Sequence, residues 1–163
     1  MWIIDLYMEN SGKSPTVKDD WYGYVLAYQG KTLHTKEKFE HCVRNRFGRD
    51  LEMFLDAITR CQPAQIVVHT ESAYLAGGFE RLSWYHENSW KNSKGEEIRY
   101  KDLWEQIAER SQDKEILFEL GEHEYTQWLK NEIRRRKDVQ KANAGAGSDG
   151  SKPAEIRNGK EGD

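Results

Sequence analysis

The chain has 163 residues, a formal net charge of −3 and 33% charged residues, which suits one domain of ordinary size and excludes a uniformly basic nucleic-acid coat. No apolar run approaches the roughly 18 residues that cross a bilayer, and Met1-Trp2-Ile3-Ile4-Asp5 has neither the basic start nor the apolar core of a secretion signal. A cytoplasmic protein with no membrane partner is therefore expected, and Cys42 and Cys61, which lack metal or redox spacing, read as reduced thiols.

Taken in chain order, Trp2 to Met8 reads as a strand and Asn10 to Asp20, with Gly12, Pro15, Ser11 and Ser14, as a loop. Trp21 to Tyr28 is aromatic and aliphatic enough for a second strand, and Gln29-Gly30-Lys31 turns it into a third, Lys31 to Phe39. Leu51, Phe54, Leu55 and Ile58 recur at helical spacing, so Asp50 to Cys61 is an amphipathic helix that Pro63 helps to end. A strand follows at Gln65 to His69, then helices from Ser72 to Arg81 and from Ser83 to Ser89, and a turn over Asn92 to Glu96. Lys101 to Arg110 is a helix with Leu103, Trp104 and Ile107 on one face. Glu115 to Leu120 is the fifth strand and Tyr125 to Lys137 the last helix. The glycine- and serine-rich run that follows cannot bury enough apolar surface to order itself, so 139–163 is expected to be a disordered tail after a 1–138 domain. Three strands, then helix, strand, helices, strand and helix describe a mixed α/β sheet.

The chemistry concentrates between Ile66 and Ile107. There a β-branched strand ends in His69-Thr70-Glu71-Ser72, a carboxylate at the strand end where ligand chemistry collects in open sheets. Two other acids stand beside apolar neighbours: Glu9, after Tyr7 and Met8, and Glu52, between Leu51 and Met53. Carboxylates from separate elements that converge are what divalent-metal phosphodiester hydrolysis needs, and Mg²⁺ prefers oxygen ligands. His69 shares Glu71's side by alternation and reads as a packed strand histidine, while His34, His41 and His86 form no ligand spacing. Arg44, Arg46 and Arg49 form a local basic cluster, and Arg134 to Lys137 a basic run that reads as a solvated helix face. Trp84 and Trp104 read as packing residues. Trp90, beside Lys91 and a turn, is the candidate for stacking on a base.

Thr70-Glu71-Ser72-Ala73-Tyr74 and Lys101-Asp102-Leu103-Trp104, in this order of elements, resemble the Thr-Asp-Ser-x-Tyr and Lys-Asp-Leu-Trp segments of the ribonuclease H family, and the resemblance covers about residues 1–138. It implies a ribonuclease H-like mixed five-stranded sheet flanked by helices, and two-metal cleavage of the RNA strand of RNA–DNA hybrids by a monomer using Mg²⁺ or Mn²⁺. Carried over by motif, the first family aspartate falls on Glu9, the helix glutamate on Glu52, the strand-end aspartate on Glu71 and the fourth acid on Asn131, with Glu132 beside it. Glu9, Glu52, Glu71 and Glu132 would then hold metal, His123 would assist product release, and Arg49, Trp90 and Lys91 would touch nucleic acid. The chain departs from the family in two glutamates for aspartates, an amide at the fourth acid, and Gly48-Arg49-Asp50 in place of the Asn-rich turn. Those departures keep three other readings open: a catalytically impaired module that binds nucleic acid, a protein-interaction domain, and a nuclease acting on DNA.

Overall fold

The computed structural model describes residues 2–145. Ten elements follow one another: β1 (Trp2–Asn10), β2 (Lys18–Gln29), β3 (Leu33–Arg44), α1 (Arg46–Thr59), β4 (Ala64–Thr70), α2 (Ala73–Glu80), α3 (Leu82–Glu87), α4 (Lys101–Arg110), β5 (Glu115–Leu120) and α5 (Thr126–Gly145). The sheet order is β3-β2-β1-β4-β5. The first two pairings are antiparallel and the last two parallel, which is the mixed five-stranded sheet flanked by helices expected from the sequence.

Strand β1 is central, and its alternating side chains are buried on both faces. Leu6 and Met8 join Tyr24, Ile66 and Val68 beneath α1, α2 and α4, whose Leu51, Phe54, Leu75, Trp104 and Ile107 complete the larger core. Tyr7 joins Trp21, Val25 and Phe39 on the opposite face, where Leu129 and Ile133 of α5 cover them. Each such apolar side chain contributes about 1.5–3 kcal/mol by leaving water, so the two clusters fix which way every β1 residue points. Successive residues therefore feed opposite faces.

Several boundaries differ from the sequence expectation. Strands β2 and β3 are longer because they pair continuously from Lys18↔Arg44 to Gln29↔Leu33; ladder partners hold polar residues that composition assigns to loops. Helix α1 begins at Arg46 rather than Asp50, since Asn45 caps it: its side-chain oxygen accepts a hydrogen bond from Gly48 N at 2.9 Å. Helix α5 continues past Lys137 to Gly145, so the expected tail starts as helix. The rest of that segment, 146–163, lies outside the described residues.

Between α3 and α4 the chain makes a compact handle. Ser89, Trp90 and Tyr100 take positive φ values of 56°, 61° and 60°, a conformation non-glycine residues enter only when their surroundings hold them there. For Tyr100 the holder is visible: its hydroxyl donates to Asn45 Oδ1 at 2.6 Å, tying the handle to the cap of α1.

Candidate active site

A cleft of about 250 Å³ opens where the ends of β1 and β4 meet the start of α1, lined by Glu9, Asn10, Asp50, Glu71 and Ser72, with Lys13 and Arg46 also in its wall. Glu9 is only 4% exposed. Burial lifts its carboxyl above the ordinary carboxylate range; Lys13 and Lys130 pull it back, and the charges of Glu71 and Asp50 add to the lift. Asp50 is lifted too, again by burial first, against the amide of Asn10, the hydroxyl of Ser72 and the charges of Lys13 and Arg49. Glu71 follows the last residue of β4 and is exposed.

The acid that α1 brings to the cleft is Asp50, not Glu52. At 100° per residue Asp50 shares the stripe of Phe54 and Ile58, four and eight residues on, whereas Glu52 points to the other side of the helix. There Glu52 pairs with Arg44, both partly exposed, and it lines no part of the cleft. The signal was in the sequence: Asp50 keeps phase with the apolar positions, and Asn45 marks a helix start that places it in the second turn. A motif match that anchors on an acid followed by apolar residues passes over it.

Asn10 holds this region together. Its Nδ2 donates to Asp50 Oδ1 at 2.8 Å and to Arg46 O at 2.9 Å, and its Oδ1 accepts from Gly12 N at 3.0 Å. Arg49, 1% exposed, donates to the carbonyls of Lys18 at 2.7 Å and Arg44 at 2.5 Å, fastening the 11–17 loop to the start of α1. A Cβ at Gly12 would run into this guanidinium and lie 3.0 Å from Asp20 Cβ, so a residue without a side chain is required there. Arg49 was expected to meet nucleic acid, but its burial and carbonyl partners make it a structural crosslink.

On α5 the expected fourth position is likewise displaced. Asn131 is exposed and bonds Gln127 and Arg134 within its own helix. Glu132 pairs with Arg135 and Arg136 at 2.8 and 2.9 Å, and Arg136 in turn lies 3.9 Å over the ring of Phe39, away from the cleft. The α5 side chain whose charge reaches Glu9 is Lys130. Helical phase explains this: with Thr126, Leu129 and Ile133 buried, residue 130 lies at the edge of the packed face and 131 lies outside it.

His123 lies behind the cleft on the α5 face of the sheet. Its Nε2 donates to Met8 O at 2.9 Å and its Nδ1 accepts from Tyr125 N at 3.2 Å. A carbonyl cannot donate and an amide N–H cannot accept, so these partners select one neutral tautomer. Burial in turn pulls the imidazole below its usual range, with the Met8 bond opposing and His69 assisting. His69 stacks on Tyr7 at 4.4 Å and donates to Asp5 at 2.8 Å, a packed strand histidine as expected. The tryptophans of the handle exchange places: Trp90 is half-buried against the larger core and 6.1 Å from Tyr85, while Trp84 is 43% exposed. Packing therefore claims Trp90, and Lys91 beside it is exposed and bridges Glu97 through its backbone.

Chemically, Glu9, Asp50 and Glu71 offer hard oxygen donors from three separate elements, which suits Mg²⁺ or Mn²⁺ in kind. Two of them, Glu9 and Asp50, are buried acids lifted by burial, and the charge of Asp50 adds to the lift on Glu9, the situation a bound cation relieves. Among the described residues no three acids or histidines stand at ligand spacing, so the donor set is present without being drawn together.

No family model matches the chain. It is 30% identical over 108 residues to a protein named Ribonuclease H from Legionella pneumophila, covering 64% of this chain and 72% of that one. It is 33% identical over 92 residues to a Ribonuclease H from Pelobacter propionicus, covering 55% of each chain, so the match spans about half that relative's length. Among solved structures, LC9-RNase H1, described as a type 1 RNase H with the type 2 active-site motif, superposes with a TM-score of 0.65 at 15% identity over 80% of this chain and 70% of that one. The PFV RNase H domain superposes with a TM-score of 0.55 at 17% identity over 82% and 90%. At such identities the superpositions speak for the fold.

Proposed function

This chain belongs to the ribonuclease H family, and on that premise we propose that it hydrolyses the RNA strand of RNA–DNA hybrids with Mg²⁺ or Mn²⁺. The reading rests on one observation: acids from β1, α1 and the end of β4 line a single cleft with Lys13 and Arg46 in its wall. Glu9, Asp50 and Glu71 would hold the metal, which when bound would polarise the phosphate and make water a better nucleophile. Asn10 keeps the Asp50 carboxylate aimed by a 2.8 Å bond, and the Arg49 crosslink keeps Asn10 and the 11–17 loop in register with α1. Lys13 and Arg46, both exposed, would draw a phosphodiester into the cleft. His123, fixed as a neutral base by two backbone partners, would act only after releasing one of them, which fits a part in product release better than proton abstraction.

Lys130 favours a second reading, a module that binds nucleic acid without cutting it, because an ammonium acting on Glu9 offsets the charge that would attract a further cation. Incubation with end-labelled hybrid, duplex DNA and single-stranded RNA, with either metal, separates the two. Cleavage of the hybrid to 3′-hydroxyl and 5′-phosphate ends is expected. Binding of the hybrid without cleavage of any substrate would leave the second reading in place of the first.

A further inference from the structure

The handle is a poor electrostatic partner for a polyanion. Lys91, Lys94, Arg99 and Lys101 are interleaved with Glu87, Glu96, Glu97 and Asp102, and Lys101 lies 4.0 Å from Glu97. Helix α5 is different, with six basic residues against Glu132 and Asp138 in a chain whose net charge is −3. Lys130, Arg134, Lys137 and Lys141 recur at intervals of four, three and four residues, so they form one stripe along the helix.

Packing sets where that stripe lies. Leu129 and Ile133 are buried against the sheet and Arg136 lies over Phe39, which fixes the rotation of α5 about its axis. At one end the charge of Lys130 acts on Glu9 in the cleft. Farther along, Lys137 Nζ is 2.7 Å from Asp20 Oδ1, the atom that also accepts from Ser11 Oγ at 2.5 Å. The stripe thus runs from beside Glu9 along the loop that carries Lys13, with Arg134 midway and Lys141 at its end, both exposed.

Resting on the nuclease reading above, we propose that α5 is the surface that carries the sugar–phosphate backbone of the bound nucleic acid, through Lys130, Arg134 and Lys141. From Lys130 to Lys141 the helix spans about 16 Å, and a strand presents a phosphate every roughly 3.4 Å of its axis, so three contacts fit on one strand. The occupant follows from charge complementarity and from the stripe's continuity with the cleft.

The test measures affinity of the full chain for an RNA–DNA hybrid across a salt series, in EDTA so that nothing is cut. It compares wild type with the double variant R134Q/K141Q and the handle variant K91Q/K94Q; all four side chains are exposed or at the surface of the handle, and thermal melts check that each variant folds. Two lost phosphate contacts lower the slope of log affinity against log salt by about 1.8, with at least about a tenfold loss of affinity at low salt, for the α5 variant only. A loss confined to the handle variant, or equal in both, overturns the assignment while leaving hybrid cleavage by wild type intact. Failure of wild type to bind any hybrid in EDTA overturns the surface, while hybrid cleavage with Mg²⁺ or Mn²⁺ decides the nuclease reading separately.

Discussion

Replacing Asp50 by Asn keeps the shape of the side chain and removes its charge, so it separates chemistry from folding. Two energies oppose each other. The 2.8 Å bond from Asn10 Nδ2 changes from charge-assisted to neutral, a loss of about 1 kcal/mol. Against that, burial holds the Asp50 carboxyl above its usual range, so its ionisation costs stability as pH rises from the unfolded value upward, and the amide removes that cost. The net change is about 1 kcal/mol or less in either direction, or roughly 2–4 °C in Tm for a chain of this size. With Asp50 a metal donor as proposed, activity should fall by about a hundredfold or more. The comparison is Glu52→Gln, which breaks only a partly exposed pair with Arg44, worth at most about 1 kcal/mol, and should leave turnover near wild type. Hybrid cleavage rates and thermal melts of both variants decide it. If Glu52→Gln abolishes cleavage while Asp50→Asn retains it, the helical-phase argument is wrong.

Three further outcomes are expected. Arg49→Met leaves the carbonyls of Lys18 and Arg44 without their buried donor and should lower stability by about 3 kcal/mol in urea unfolding; a midpoint within error of wild type would refute the crosslink. Gly78→Ala drives a Cβ into the Trp104 indole and should cost about 1–3 kcal/mol, read as a drop in Tm, with no drop meaning that the indole has room to move. Because burial depresses the His123 imidazole, the unfolded chain binds its proton first as pH falls, and stability should decline as pH drops below about 6.5. In His123→Gln that part of the decline disappears, so identical pH profiles of Tm would argue against a buried neutral ring.

Among the described residues, helical period located α1 and α4, because burial of one face imposes a period whatever the partner, while aromatic and aliphatic content and turn residues placed strands such as β2. Glu9 and Glu71 were legible as acids at strand ends, and β1 and β4, parallel neighbours in the sheet, carry them to one cleft. Asp50 is legible from its phase with Phe54 and Ile58, yet the motif falls on Glu52, since a motif carries adjacency but not direction around a helix. The same limit misplaced the α5 residues: Asn131 and Lys130 are neighbours in sequence but about 100° apart on the helix.

Other facts arise only in three dimensions. Nothing in the spacing of Asn10 and Arg49 announces that an amide and a guanidinium 39 residues apart would meet over Gly12. Whether a tryptophan packs or stands exposed depends on which neighbour reaches it, as Trp84 and Trp90 illustrate. The chain by itself determined the elements, the fold class and the acidic character of the site, because these follow from local periodicity and residue chemistry. Tertiary structure alone decided which acid of α1 faces the cleft and which lysine of α5 acts on Glu9, because convergence depends on the rotation of each element against a core built from distant residues.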